Sequence, residues 1–237
     1  MANNSTSGKL KFPLFVALDV DDMDSAAKIA SSTAEFVGGF KLGPRLILRY
    51  GANLVREISQ LAPVFVDCKF YDIPSTVLSS IEAAFESGAS FVTVHASNGS
   101  ECLRKVAALE QQLAKGRPFQ VLAVTVLTSF GDKNLPANWR PAPAAEHVNI
   151  LAQAAIDSGL TGIVCSPHEV TQLRRTYPSA FLVTPGIRVK LAQIVRDDQS
   201  RTMSPKEALA AGADALVIGR PITAAVDPRV AVKEIWQ

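Results

Sequence analysis

Two carboxylates and one ammonium group lie close together in the sequence, just after an apolar run at residues 64–66. The run leads directly into Asp67, Lys69 and Asp72, and Pro74 closes the segment. Residues two apart in a strand share a face, so a strand here would project Asp67 and Lys69 together. Such a group could stabilise charge during a reaction. It is also typical of a solvated strand end that carries an ion pair of little energetic value.

The elements that would position these residues repeat along the chain. Apolar runs of strand character are each followed by a stretch of helical character, and the runs lie at 14–18, 39–40, 64–66, 91–94, 121–127, 162–165, 181–183 and 215–218. Continuous apolar character is typical of strands buried on both faces, as in parallel sheets. Eight such units in 237 residues predict an α/β protein with a single (β/α)8 TIM barrel. A doubly wound open sheet is the alternative, but no G-x-G-x-x-G follows the first strand.

Local signals predict where several helices and loops begin. Asp24 is expected to cap the first helix. The sequences S-P-H-E at 166–169 and S-P-K-E at 204–207 predict capping boxes, with proline at the first helical position. The Pro-rich segment 130–143 is expected to be an irregular loop, and we assign it no functional role.

Composition narrows the class of protein. Lys and Arg total 24 against 22 Asp and Glu, and this balance does not predict a nucleic-acid or membrane surface. Three widely spaced cysteines without a C-x-x-C fit buried thiols in a reducing compartment. The polar segment 1–12 is expected to be a flexible lead-in without the apolar core of a signal peptide, and 13–237 to be the barrel domain. We therefore predict a cytoplasmic protein.

The polar residues at the strand ends would converge in a barrel. In chain order these ends are Asp19, Lys41, Asp67 with Lys69, His95, Thr128, Ser166, Pro185 with Gly186, and Gly219 with Arg220. All of them would meet on the face where active sites of this fold are found. Charge at the inner ends of three consecutive strands is costly in a core, whereas clustered ionisable groups mark functional sites. The pattern favours a site over a chance ion pair.

The last two strand ends predict a phosphate site. Gly186 and Gly219 would let the backbone approach a ligand closely, and Arg220 can form a bidentate contact with an oxyanion. Barrels frequently bind phosphate at the loops after strands seven and eight. The long loop 187–203 resembles a lid. In the alternative interpretation both glycines only turn the chain and Arg220 lies in solvent.

A metal site is not predicted. His95, within V-T-V-H-A, is expected to form hydrogen bonds at the barrel rim. It has no partner histidine at ligand spacing, since His147 and His168 lie in or near helix starts. No other cofactor is predicted either.

With these residues identified, the chain resembles the orotidine 5′-phosphate decarboxylase family, of bacterial type, from about Leu14 to the last helix. The stretch D-C-K-F-Y-D-I-P-S-T at 67–76 is similar to the family signature D-x-K-x-x-D-I-P. Supporting matches are A-L-D at 17–19, F-K-L-G at 40–43, V-H-A-S at 94–97, V-L-T-S at 126–129, T-P-G-I-R at 184–188, D-D-Q-S-R at 197–201 and V-I-G-R-P at 217–221. The departures, Cys68, Tyr71 and Ser75, carry no charge.

The resemblance implies metal-free decarboxylation of orotidine 5′-phosphate to UMP and CO2, the last step of de novo UMP synthesis. It implies that Lys69 stabilises and protonates a carbanion at C6 of the pyrimidine, with Asp67 near the departing carboxylate. Lys41 would join this network and contact the ribose. Asp72 would complete the catalytic set by reaching, with Thr76, into the neighbouring subunit of a homodimer.

The resemblance also implies the contacts to the rest of the substrate. Asp19 would bind ribose hydroxyls, and Thr128 with Ser129 the pyrimidine. The expected phosphate contacts are Arg188, Gln199, Gly219 and Arg220.

Two rival functions stay open from the sequence. One is a related barrel of the 3-keto-L-gulonate 6-phosphate decarboxylase type, which needs magnesium and places an acidic ligand where this chain has Lys41. The other is a catalytically silent barrel that binds a phosphorylated regulator. Its motif residues should be incomplete, and here they are complete.

Overall fold

The computed structural model describes residues 12–188 and 202–236. Eight parallel strands pair in chain order and close into a barrel, with β1 beside β8. The strands are β1 Leu14–Ala17, β2 Gly39–Leu42, β3 Val64–Phe70, β4 Ala89–His95, β5 Gln120–Val124, β6 Gly162–Val164, β7 Phe181–Thr184 and β8 Ala215–Ile218. The predicted (β/α)8 TIM barrel is confirmed, and the open sheet is excluded because β1 and β8 are hydrogen-bonded neighbours.

Helices connect the strands and cover the outside of the barrel. They are α1 Met23–Thr33, α2 Pro44–Ser59, α3 Pro74–Glu86, α4 Ser100–Leu113, α5 Ala144–Asp157, α6 Val170–Thr176, α7 Pro205–Ala210, α8 Arg220–Thr223 and α9 Pro228–Glu234. In α3, Val77, Ile81 and Ala84 are buried, at the spacing of one helical face. Within the described residues, none of the helices combines the length and apolar character that a membrane span requires.

Aromatic side chains fill the inside of the barrel beneath the strand ends. Phe15, Phe65 and Phe91 pack edge to face, with ring centroids 5.1–6.5 Å apart, and Phe181 stacks on Phe91 at 6.0 Å. Side chains alternate along each strand, so the residue two positions after each of these inward rings also points inward. For Phe65 that residue is Asp67. This layer of four aromatic rings, the aromatic floor, therefore lies directly beneath the polar side chains at the strand ends.

Some local predictions hold and others fail. Both capping boxes are present, at Ser166 with Glu169 and at Ser204 with Glu207. The expected cap Asp24 is wrong, because Asp22 accepts the N–H of Ser25 at 2.8 Å and begins α1. Several acidic residues lie near the start of this helix, and their residue type alone does not show which of them caps it.

Strand β5 ends earlier than its β-prone sequence predicts. The run was expected to reach residue 127, but β5 stops at Val124. Its neighbour β6 ends at Val164, whose carbonyl accepts both the N–H and the hydroxyl of Thr125. A strand cannot extend past the last residue that its neighbours offer for pairing, so the chain turns here.

The Pro-rich segment 130–143 is irregular, as expected, and it is anchored to the start of α5. Asp132 Oδ1 accepts the N–H of Ala144 at 2.8 Å. His147 Nε2 lies 3.1 Å from the carbonyl of Arg140, and its ring contacts that of Trp139. These contacts give the segment a structural role.

Candidate active site

Side chains at or just after the carboxyl ends of β1, β2 and β3 form a row of alternating charge at this end of the barrel. The Lys41 ammonium lies 3.3 Å from Asp19 Oδ1 and 3.5 Å from Asp67 Oδ2. The other oxygen of Asp67 accepts from Lys69 Nζ at 2.9 Å. These four residues, which the sequence assigned to a single cluster, are in contact.

Burial increases along this row from its ends towards its centre. The side chains of Lys41 and Asp67 are 11% and 13% exposed, whereas Lys69 is 38% exposed. Desolvation alone would lower the pKa of Lys41, but the charges of Asp67 and Asp19 outweigh it and raise that pKa. Desolvation alone would raise the pKa of Asp67, but Lys41 and Lys69 outweigh it and lower that pKa. Both central groups are therefore ionised at neutral pH, and Lys69 is the cation of the row that is accessible to a ligand.

The backbone of β3 is irregular where it carries Asp67 and Lys69. Val66 pairs with Val92 and Phe70 with Val94, so three residues of β3 face one residue of β4. Lys69 has φ 49°, in the left-handed region. For a residue other than glycine this conformation costs about 1–2 kcal/mol. The two side chains meet as strand alternation predicted, but through a bulge.

Thr93 of β4 is a member of the site that the sequence analysis missed. Its hydroxyl accepts the backbone N–H of Lys69 at 2.8 Å and donates to Asp67 Oδ1 at 3.0 Å. Thr93 is fully buried. The available signal was its position two residues after Phe91, since alternation places such a residue inward, directly above the aromatic floor.

Asp72 lies outside the row in the single chain. Its backbone N–H donates to Asn98 Oδ1 at 3.3 Å, and its own Oδ1 accepts from the N–H of Ile73 at 2.6 Å. Asn98 also donates to the carbonyl of Phe70 at 2.8 Å, which holds the end of β3. Asp72 and Thr76 are both exposed, one before and one within the first turn of α3.

His95 forms the rim hydrogen bond that was expected of it. Its Nδ1 accepts from the N–H of Ser97 at 3.2 Å. Burial, and secondly the charge of Lys69, lower the pKa of His95. The imidazole is therefore neutral at pH 7, and Tyr71 packs against it with ring centroids 5.8 Å apart.

The expected phosphate residues lie at the ends of β7 and β8. Gly219 borders the charged row, since a Cβ built on it would lie 3.7 Å from Asp19 Oδ2. Arg220 begins α8, a short helix that was not predicted, and it is exposed. Arg188 donates through Nη1 to the carbonyl of Ile187 at 3.1 Å.

The two ends of the predicted lid 187–203 are paired. The N–H of Arg188 donates to the carbonyl of Met203 at 2.9 Å, and the N–H of Met203 donates to that of Gly186 at 3.3 Å. Gly186 has φ 82°, which its lack of a side chain permits. Gln199 and the rest of the loop lie outside the described residues.

Thr128 and Ser129 lie in the turn that follows β5. Thr128 is half-buried, and Ser129 is exposed with its carbonyl accepting from Asn134 at 3.1 Å. The early end of β5 places the pair beyond the strand and not at its last residue.

Among residues 12–188 and 202–236, no three His, Cys, Asp or Glu side chains are grouped as metal ligands would be.

A closed barrel with charged groups at the carboxyl ends of its strands defines the class of (β/α)8 enzymes. The chain belongs to the orotidine 5′-phosphate decarboxylase / HUMPS family, whose model matches residues 13–235.

Relatives and a solved structure are similar over nearly the whole chain. The chain is 40% identical over 227 residues to orotidine 5′-phosphate decarboxylase of Shewanella sediminis, covering 95% of this chain and 96% of that relative. It is 44% identical over 229 residues to the protein of the same name from Chromobacterium violaceum, covering 95% and 90%. The crystal structure of orotidine 5′-phosphate decarboxylase from Lactobacillus acidophilus superposes with a TM-score of 0.81 at 35% identity, covering 95% and 97%.

Proposed function

We propose that this chain decarboxylates orotidine 5′-phosphate to UMP and CO2, the last step of de novo UMP synthesis. The observation that carries the proposal is the row from Asp19 to Lys69, which ends in an ammonium accessible to a ligand. The names of the relatives support the same substrate.

Lys69 is the group that acts on the reacting carbon. When the bond between C6 and the carboxylate breaks, its electron pair stays on C6. A fixed ammonium beside that carbon stabilises the developing negative charge and then gives it a proton. The deprotonated lysine recovers its proton from water. The 2.9 Å contact with Asp67 supports this role because it fixes the ammonium before the substrate arrives.

Asp67 and Lys41 supply the fixed field around Lys69. Asp67 lies near the substrate carboxylate, and its Oδ1 holds Lys69. The ammonium of Lys41 lies 3.5 Å from Asp67 Oδ2 and neutralises that oxygen. Asp19 and Lys41 face the ribose hydroxyls. Because Lys41 and Asp67 are already paired and largely buried, they need little reorganisation when the reaction begins.

The other end of the substrate is held by the loops after β5, β7 and β8. Thr128 and Ser129 contact the pyrimidine. Arg220 binds the phosphate dianion, with the remaining contacts from Arg188, Gln199 and Gly219. Phosphate binding energy, remote from the bond that breaks, can support catalysis.

Two copies of the chain complete each site. Asp72 is exposed, and it lies between Tyr71 and Ile73, which are 66% and 65% exposed. Large apolar side chains on a surface mark interaction sites when they are grouped. A second copy docking on this segment would cover both and receive Asp72 and Thr76 in its own pocket.

The magnesium-dependent decarboxylation of the gulonate type is less well supported. Lys41 places a positive charge between Asp19 and Asp67, at distances of 3.3 and 3.5 Å. An ammonium at that position occupies the place of an acidic metal ligand and repels a divalent cation.

The test is turnover of orotidine 5′-phosphate by the purified protein in the presence of EDTA. We expect conversion to UMP. The conversion is monitored by the loss of the substrate's ultraviolet absorbance and verified by product chromatography. Absence of turnover at high enzyme concentration would contradict the proposal. Activity that EDTA removes and magnesium restores would contradict its metal-free form.

A further inference from the structure

One buried hydroxyl of β4 closes a ring of hydrogen bonds around the Asp67–Lys69 pair. Thr93 Oγ1 accepts the backbone N–H of Lys69 at 2.8 Å and donates to Asp67 Oδ1 at 3.0 Å. The same carboxylate oxygen accepts from Nζ of Lys69 at 2.9 Å. An N–H only donates and an ionised carboxylate only accepts, so the single hydroxyl proton is directed to Asp67. The ring links the backbone of Lys69 to the partner of its own side chain.

This ring holds a residue whose backbone conformation is unfavourable. Lys69, with φ 49°, is the one residue other than glycine with a positive φ in the described part of the chain. Such conformations persist only where the surrounding structure maintains them, and they cluster at functional sites. The bulge removes the regular ladder here, and the Thr93 side chain takes the place of a backbone acceptor. Without the hydroxyl, the N–H of Lys69 loses this partner.

We propose that Thr93 is a positioning residue for the decarboxylation. Its hydroxyl keeps Lys69 in the left-handed conformation and orients Asp67, and the two effects together hold the ammonium where the carbanion forms. Thr93 acts through these residues and not on the substrate. The kinetic consequence rests on the proposed function, whereas the structural consequence does not.

Two substitutions separate the hydroxyl from the shape of the side chain. Thr93→Val keeps the volume and removes the hydrogen bonds, and Thr93→Ser keeps the hydroxyl and removes a methyl group. We expect Thr93→Val to lower kcat by roughly 10- to 100-fold with KM changed by less than about 3-fold, because a displacement of about 1 Å has effects of this size. Thr93→Ser should keep kcat within about 3-fold of the wild type.

A purely structural role would give a different pattern. Loss of packing would affect Thr93→Ser more than Thr93→Val, and that order would overturn the proposal. Wild-type kcat in Thr93→Val would also overturn it. Thr33→Val is the matched control, since Thr33 is equally buried but donates only to the carbonyl of Ile29 in its own helix, at 2.8 Å. It should leave kcat unchanged.

Crystal structures of the variants give a readout that is independent of activity. In Thr93→Val we expect Lys69 to leave the left-handed region and its Nζ to lose the contact with Asp67. If Thr93→Val does not fold, Thr93→Ala removes the same hydroxyl in a smaller side chain and is measured in its place. An unchanged Lys69 in the variant would refute the positioning role. If the wild type fails to turn over orotidine 5′-phosphate, the proposed function fails and this structural comparison still decides the role of Thr93.

Discussion

Lys41 is a cation that the fold has enclosed between two carboxylates. It is 9% exposed as a residue, and it contacts Asp67 on one side and Asp19 on the other. Burying a charge is expensive unless its partners are in place, so the three residues depend on one another. The same pairing keeps Asp67 ionised beside Lys69. The ion pairs of Lys41 therefore stabilise the folded protein and also hold Asp67 and Lys69 in position for the reaction.

Removing the ammonium tests this dependence. We expect Lys41→Met to lower the free energy of unfolding by about 3 kcal/mol, because the buried Asp67 carboxylate then keeps Lys69 but loses Lys41 as a positively charged partner. Urea denaturation measures the change. The control is Lys105→Met, which removes an exposed i,i+4 pair with Glu101 and should cost less than about 0.5 kcal/mol. Equal effects of the two substitutions would show that the Lys41 contacts carry no special energy.

The pH dependence of the same variant has a definite sign. The folded pKa of Asp67 is lowered, so its contribution to stability is present above its unfolded pKa of about 4 and is lost as the pH falls through the folded value. In Lys41→Met one of the two charges that lower this pKa is gone. The difference between the folded and the unfolded pKa of Asp67 is then smaller, so Lys41→Met should lose less stability on acidification than the wild type, as measured by urea denaturation at several acidic pH values.

At the scale of elements, the sequence predicts which strands carry charge but not how β3 is bent. Asp19, Lys41 and Asp67 follow apolar runs, and strand ends of a barrel must converge. The bulge in β3 and the bonds of Thr93 depend on how β3 pairs with β4, which no local pattern encodes. The early end of β5 has the same origin in its neighbour. Local signals within one helix start, such as the two capping boxes, were sufficient because both partners are close in sequence.

Helix α4 carries a buried carboxyl group that the site does not use. Glu110 Oε2 is buried without a hydrogen-bond partner within the part of the chain that the structure describes, and burial raises the pKa of Glu110 to about 7. The folded protein therefore binds a proton that the unfolded chain releases near pH 4.5. Stability should fall by about 3 kcal/mol as the pH rises from 4.5 to 7 on account of this group.

Glu110→Gln should remove that slope. The free energy of unfolding, measured by urea denaturation at several values between pH 4.5 and 8, should fall less steeply in the variant than in the wild type. The control Glu101→Gln changes an exposed carboxyl on the same helix and should leave the slope in place. Identical slopes for wild type and Glu110→Gln would show that Glu110 is already ionised in the folded protein.

At the scale of the whole molecule, the barrel and the family were predictable because their signals are spread over every strand. The site of a single chain contains Lys41, Asp67 and Lys69, while Asp72 stays apart on an exposed segment. Whether a second copy of the chain receives Asp72 depends on the shape and chemistry of the docking surface. From the sequence, that surface was predicted only through the family resemblance. The shared site and the cytoplasmic location stay predictions.

Mixing two inactive variants tests the shared site. Lys69→Ala and Asp72→Ala should each be inactive, and a mixed dimer should contain one site with both residues intact. Random exchange should therefore restore roughly a quarter of wild-type activity. Mixing Lys69→Ala with Asp67→Ala is the control and should restore none, because both residues act in their own chain. No recovery in the first mixture would rule out shared sites.

The central claim is that the Lys69 ammonium carries the chemistry at the end of the charged row. The most direct measurement compares wild type and Lys69→Ala for turnover of orotidine 5′-phosphate in EDTA, with circular dichroism and thermal unfolding to establish that both are folded. We predict turnover by the wild type and none detectable by Lys69→Ala. Comparable rates from the two folded proteins would contradict the account.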